Sequence, residues 1–409
     1  MSTGFPPTYL LLARQPPGVF AALVAASLLL VAVCRVVDNR VYTVTAVAAF
    51  ALRVAVAAVA LRYLPYGWDI GTYHQTALAL LDGRTPFESL STVVFGWIQA
   101  GLYTVFRPDV FVVSVFNSLL AVLVPLPAAV VAHRLYPDLD DLDGVRTLVL
   151  VLPLSVLFLS IPMRDTLATA LFVTTLALAA RGLTDRPALG FVAVPVIGAL
   201  ALIRFELAGI AAAGGVLAVA VKAVERYANR DVSVPSLVAA VGATGLVGLV
   251  PFASRYDIGT LNTQLRIRGV GGAAYLAPFQ YDSWVHVLLT APTRVIFFLY
   301  APFPLHVNGA FDLMALVELP LLVSLTVAAA RSLRVRGWST PVGALLGLAY
   351  AGGVVGYGLV DANFGTTVRH RIPFVVLLVV FAAPVVERWW QTLTEAAGRL
   401  RTRDARQGA

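Results

Sequence analysis

The chain has 409 residues, 59% of them hydrophobic and only 13% charged, with a mean hydropathy of +0.83. Soluble domains carry about 25% charged residues, so a soluble fold is excluded, and long apolar runs in place of alternating strands argue against a β-barrel. The net charge of +8 is almost all arginine, Lys222 being the one lysine; in so apolar a chain it reads as the loop bias of a membrane protein, and no nucleic-acid partner is expected.

A bilayer span needs about 20 apolar residues. In chain order the candidates are 18–34, 41–61, 110–132, 147–162, 166–180, 188–203, 207–221, 234–253, 311–330, 341–360 and 372–387. The first run follows a start without a signal-peptide pattern and is expected to stay as an anchor. It holds the single cysteine, Cys34, so no intrachain disulfide is available. The run 91–106, STVVFGWIQAGLYTVF, is ambiguous. Counting it as a helix lying at the interface puts Arg35, Arg40, Arg134, Arg146, Arg181 and the basic tail on one side in short segments. That matches the positive-inside bias; letting 91–106 span inverts everything after it. The expected fold is therefore an all-α polytopic bundle of about 11 spans (10–13), residues 1–387 forming one transmembrane domain. External loops cover 62–109 and 254–310, and 388–409 form a basic cytoplasmic tail able to lie on the membrane surface. Within the second loop, WVHVLLTAPTRVIFFLYAPFPL reads as re-entrant or interfacial.

Charge beside a bilayer is costly and calls for a cavity or a partner. In YGWDIGTYH, Asp69 is followed by Tyr73 at i+4, on the same helical face, and by His74. Asp69 is a candidate functional acid, or the N-cap of that helix, or both. In SIPMRDTLATAL, Asp165 is either functional or a cap, and Arg164 pairs with it or with a lipid phosphate. In ALIRFELAG, Arg204 and Glu206 stand between two apolar runs, as a site or as an isolated ion pair. In VDANFGTTVRHRIPF, Arg369, His370 and Arg371 form an anion site or anchor lipid headgroups, because guanidinium grips phosphate through two parallel bonds. Arg266 and Arg268, in LNTQLRIRGVGG, belong to a gating loop or to plain surface, and Arg53 sits inside a span, where it is expected to steady an acid. No spacing signals a specific metal site, nucleotide loop or serine-nucleophile turn. The cytoplasmic loops are short, so chemistry is expected outside, on a preactivated, lipid-linked substrate.

The order of Asp69, Tyr73, Ala77, Leu80, Gly83 and Pro86, followed by a short interfacial helix, resembles the first external loop of GT-C glycosyltransferases. That superfamily includes the protein O-mannosyltransferases and the aminoarabinose lipid A transferases. Asp165 and Arg181 are similar in place to the acid of the next outer loop and the arginine ending the span after it. Arg369, Arg371 and Pro373 are similar to its late basic–proline segment. A single acid stands where the family usually has a pair, and one span precedes its usual first. The resemblance implies a glycosyltransferase in the plasma membrane, active on the extracytoplasmic side. It would move a sugar from a polyprenyl (dolichyl) phosphate to a glycan, lipid or protein acceptor of the cell envelope. Asp69 would be the base; Asp165 would hold the acceptor or a divalent metal. Arg369, His370, Arg371, Arg266 and Arg268 would face the donor phosphate. Apart from the lipid-linked donor, the implied partners are membrane lipids; no cofactor is required, though a divalent metal is admitted. FFLYAPFPLHV and NFGTTVRHRIP also resemble segments of membrane polymerases that join lipid-linked oligosaccharide repeats. A flippase or transporter for a lipid-linked glycan is the alternative of another class, but such carriers keep their charges at mid-membrane.

Overall fold

A computed structural model describes residues 16–63, 67–227, 231–233, 235–243, 257–269, 274–276, 279–307, 310–335 and 337–407. Among these residues the chain is helical apart from turns, one 3-10 turn at Pro304–His306 and one antiparallel bridge between Ala274 and Asn363. The helices are α1 (Pro16–Val37), α2 (Arg40–Tyr63), α3 (Gly67–Leu81), α4 (Leu90–Phe106), α5 (Val110–Leu123), α6 (Pro125–Leu135), α7 (Asp143–Val151), α8 (Pro153–Phe158) and α9 (Asp165–Thr184). They continue as α10 (Pro187–Tyr227), a helical stretch at 235–243, α11 (Ile258–Arg268), α12 (Trp284–Tyr300), α13 (Ala310–Val335), α14 (Thr340–Val360), α15 (Phe364–His370), α16 (Ile372–Phe381) and α17 (Ala383–Gln407).

Among the described residues seven helical segments are long and apolar enough to cross a membrane: α1, α2, α5 with α6, α9, α10, α13 and α14. The pair α15–α16, bent by 44°, makes an eighth if it counts as one span. The chain is thus an all-helical, polytopic bundle, but the expected 11 spans are not reached by length and composition. The expected span 147–162 is cut at Leu152–Pro153 into α7 and α8, because proline removes a backbone donor and clashes with the preceding turn. The expected span 234–253 falls largely outside the described residues. The expected pair 188–203 and 207–221 is merged into α10, in which Arg204 alone has extended backbone (φ −150°, ψ 92°).

That one residue reverses the chain. Arg204 is ion-paired with Asp165, at the start of α9. Lys222 donates to the Leu183 carbonyl, at the end of α9. The stretch from Arg204 to Lys222 rises about 27 Å, as does that from Asp165 to Leu183. A straight α10 would carry Lys222 about 50 Å from Leu183. So α10 is a hairpin that runs up α9 and back down.

The same kind of bookkeeping gives the bundle two ends. At one, Asn39 Nδ2 donates to Asp143 Oδ1 (2.9 Å), Ser339 N to the Leu135 carbonyl (3.0 Å), and Arg134 pairs with Asp185 (3.0 Å). There too the Glu387 carboxylate accepts from Gly144 N (3.0 Å) and Val145 N (2.8 Å), closing α17 against the start of α7. Burial is the main force on this carboxyl. It pushes the pKa up to about 7, against the two amide bonds and with the negative charges of Asp141 and Asp143.

Asp69, Asp165, Arg204 and Arg369 meet at the other end. Helix α4 lies along it. Ser91, at its start, bonds Arg164, and a Cβ on Gly18 at the start of α1 would strike the Phe106 carbonyl at its finish. Both termini of α4 therefore lie at one end of the bundle, as the interfacial reading of 91–106 requires. Ser89 caps α4 and Asp109 caps α5, which fixes the turn between the two helices. The tail is not a separate unit, since it continues α17 from Ala383.

Candidate functional site

Helix α3 begins at Gly67, so Asp69 lies within its first turn and is not its cap. Its Oδ2 accepts from Arg369 Nη1 at 2.9 Å. Arg369, on α15, is held from two further sides: its Nε donates to the Gly365 carbonyl (3.1 Å), and its Nη1 lies 3.4 Å from the Met163 sulfur. One position along from Met163, Arg164 donates to Ser91 Oγ on α4. The next residue, Asp165, is buried and takes Arg204. It therefore spends its carboxylate on a guanidinium and not on capping α9. The guanidinium charges of Arg204, Arg369 and Arg164 all act on Asp165, and the carboxylates of Asp165 and Glu206 on Arg204. Residues from α3, α9, α10 and α15 are thus brought together, although the sequence spreads them over 300 positions.

Asp69, Asp165 and Asp361 are the ion-paired acids described at this end, and exposure separates their roles. The side chain of Asp69 is 17% exposed, that of Asp165 6% and that of Asp361 nil. Of these three, Asp69 shows the most surface to an incoming group. Asp361 was not singled out by the sequence. It gives Oδ1 to Arg268 (2.7 Å) and Oδ2 to His370 Nδ1 (2.7 Å). Its backbone carbonyl accepts from Arg294 Nη2 (2.9 Å) and the Tyr275 hydroxyl (2.8 Å). Burial pushes the Asp361 carboxyl up, but His370 and Arg268 outweigh it and hold it below the usual carboxylate range. Asp361 thus ties α11, α12 and α15 into one joint directly beside Arg369.

Tyr73 and His74 are packing residues. Tyr73 meets Phe95 edge-to-face at 5.0 Å, and His74 Nδ1 lies 2.8 Å from the Tyr103 hydroxyl, so α3 sits on α4. Burial pushes the Tyr73 phenol up, which keeps it neutral although it feels the charges of Arg164, Asp165 and Asp69.

Three expectations need correction. Arg371 does not join Arg369. It is buried, donates to the Ala301 (2.6 Å) and Leu299 (3.2 Å) carbonyls and pairs with Glu318 at 3.4 Å, so it is committed to the protein and not to a donor phosphate. Arg266 is exposed on α11, while its neighbour Arg268 goes to Asp361. Arg53 steadies no acid. It donates to the Ser155 carbonyl (2.6 Å), the Leu150 carbonyl (3.0 Å) and Ser155 Oγ (3.0 Å). The Leu150 carbonyl is left over where Pro153 breaks the helix, whereas that of Ser155 also accepts from Leu159 N (3.0 Å). Leu154 N, the donor that an intact helix would give to Leu150, turns to Glu318 Oε1 at 3.3 Å. Arg53 and Glu318 thus stitch the break from opposite sides.

Glu318 was legible as a lone acid in the apolar run LMALVELPLLV, and Arg294 as a cation in another. Asp361 offered no such signal. A divalent ion does not fit at Asp165, whose carboxylate is committed to Arg204 and ringed by further cations. Among the described residues no three His, Cys, Asp or Glu side chains converge as metal ligands. Comparison of the chain with protein-family models, curated proteins and solved structures finds no match.

Proposed function

We propose that the chain is a membrane glycosyltransferase of the GT-C type, with about eleven crossings of the plasma membrane. It takes a sugar from a polyprenyl phosphate and passes it to an acceptor hydroxyl on the extracytoplasmic side. The supporting observation is the placement of Asp69. It is the most exposed of the ion-paired acids Asp69, Asp165 and Asp361, faces Arg369, and stands on a helix that rests on α4. In this reading the donor phosphate draws the Arg369 guanidinium away from Asp69, with Arg204 and Arg164 alongside, and so frees a base. Asp69 takes the proton of the acceptor hydroxyl as that oxygen attacks the anomeric carbon. The carbon–oxygen bond to phosphate breaks, and the bond's electron pair leaves on the polyprenyl phosphate. The guanidinium groups stabilise that growing charge. The attack comes from the face opposite the leaving group, so the anomeric configuration inverts.

A second reading draws on the same end of the bundle. Arg164, Arg204, Arg268, Arg294 and Arg369 gather there, and a polymerase of lipid-linked repeats relies on arginines more than on an acid. One experiment separates the two. Lipid-linked and protein-linked glycans are profiled by mass spectrometry in a deletion strain complemented with wild type or with Asp69→Asn. A glycan short by one sugar in both the deletion and the Asn strain supports the transferase. A normal profile in the Asn strain removes Asp69 from catalysis. A change of chain length with every sugar present points to the polymerase.

A further inference from the structure

A surface groove runs along α3 away from Asp69, lined by Thr72, Gln75, Thr76, Arg84, Phe87 and Glu88. Thr72 and Thr76 follow Asp69 at i+3 and i+7, so base and groove share one helical stripe. The opposite wall comes from the loop after α3, which turns at Gly83 with φ 70°, a left-handed conformation that glycine adopts without a Cβ clash.

The lining has a definite chemistry. The carboxamide of Gln75, the guanidinium of Arg84 and the carboxylate of Glu88 supply donors and acceptors side by side, with Thr72 partly exposed and Thr76 buried beneath them. The Phe87 ring is fully exposed against them. Charge does not select an anion: Arg84 is already paired with Asp82 at 2.6 Å, and Glu88 adds a negative group. A ligand that fits is uncharged, both donates and accepts hydrogen bonds at close intervals, and has an apolar C–H face to lay on a ring. A neutral sugar chain has all three properties.

Position sets which part of the substrate enters. Gln75 lies about 9 Å along the helix from Asp69. That is too far to touch the reacting hydroxyl, yet it is in line with it. We infer that this groove binds a neutral oligosaccharide, holding the acceptor units behind the one whose hydroxyl reaches Asp69. The acceptor is then a growing glycan, in preference to a protein side chain or a lipid headgroup. The assignment to an acceptor rests on the transferase reading; the binding of sugar does not.

Saturation-transfer NMR tests it on the full-length protein in lipid nanodiscs. The probes are a panel of glucose, mannose and galactose oligosaccharides, with glycerol phosphate standing in for a lipid headgroup. Transfer to at least one oligosaccharide is expected for wild type and for Asp69→Asn alike. Phe87→Ala and Gln75→Ala, both at exposed positions, should each weaken that oligosaccharide about fivefold or more. Absence of transfer to every oligosaccharide overturns the inference, as does equal binding by the Ala variants. Displacement of the sugar by glycerol phosphate overturns it too, by assigning the groove to lipid. Sugar binding without any glycan change in the deletion strain keeps the groove and removes the transferase.

Discussion

Asp165 and Arg204 show how much a single pair carries at this site. Both side chains are largely withdrawn from water, and each is the other's principal countercharge. Removing one partner leaves a buried charge without compensation, so Arg204→Met should destabilise the protein by about 3–5 kcal/mol. The double variant Asp165→Leu/Arg204→Met should cost clearly less than the two single changes together. Chemical unfolding in mixed micelles, run as a double-mutant cycle, checks this; additive losses would mean that the pair is not coupled. Residues of this kind were legible. Asp69, Asp165, Arg204 and Arg369 stand out because charge borders an apolar run, and the structure brings all four together. Their partners were not legible. Arg369 and Arg371 are two positions apart, yet the bend between α15 and α16 sends one to Asp69 and the other to Glu318. No local pattern encodes that division, because it depends on which helices stand on either side of the bend.

Among the elements, the α7–α8 break is the most informative. The hydrophobic run 147–162 reads as one span, and Pro153 alone does not say whether the helix kinks or stops. It stops because neighbours take up the loose ends: Arg53 from α2 takes the Leu150 carbonyl, and Glu318 from α13 takes the Leu154 amide. Glu318→Ala strips the acceptor from both Leu154 N and Arg371, and should destabilise by about 3–5 kcal/mol. Glu318→Gln keeps an amide oxygen in place and should cost less. Melting temperatures followed by size-exclusion monodispersity in detergent give the order; Gln as damaging as Ala would mean that the charge, not the acceptor, holds the break. The α10 hairpin was legible, because ALIRFELAG interrupts the apolar run at the residue where the backbone reverses. That both termini of α4 lie at one end of the bundle was legible only through arginine counting over the whole chain, since its own composition suits a span.

The whole molecule is a bundle closed at both ends by side chains from its far ends in sequence. At the Asp143 end, the closure is sensitive to acidity. Glu387 titrates near 7 when folded, against 4.5 for an ordinary glutamate. The folded state therefore holds the proton more tightly, and stability is greatest at low pH and falls as pH rises from about 4.5 to about 7. The shift corresponds to about 3 kcal/mol at most. Unfolding followed from pH 5 to pH 8 should show that decline in wild type and lose most of it in Glu387→Gln; an unchanged slope would move the effect to another group. At the opposite end, Asp69 meets a partner 300 residues further along. A ribosome adds 300 residues after Asp69 before that guanidinium exists, and most of the earlier spans have emerged by then. During synthesis the inserted helices carry their acid without its countercharge. The ion-paired cluster therefore comes into being at a single late moment of biogenesis, and a chain stopped short of Arg369 can fill the membrane without ever assembling it.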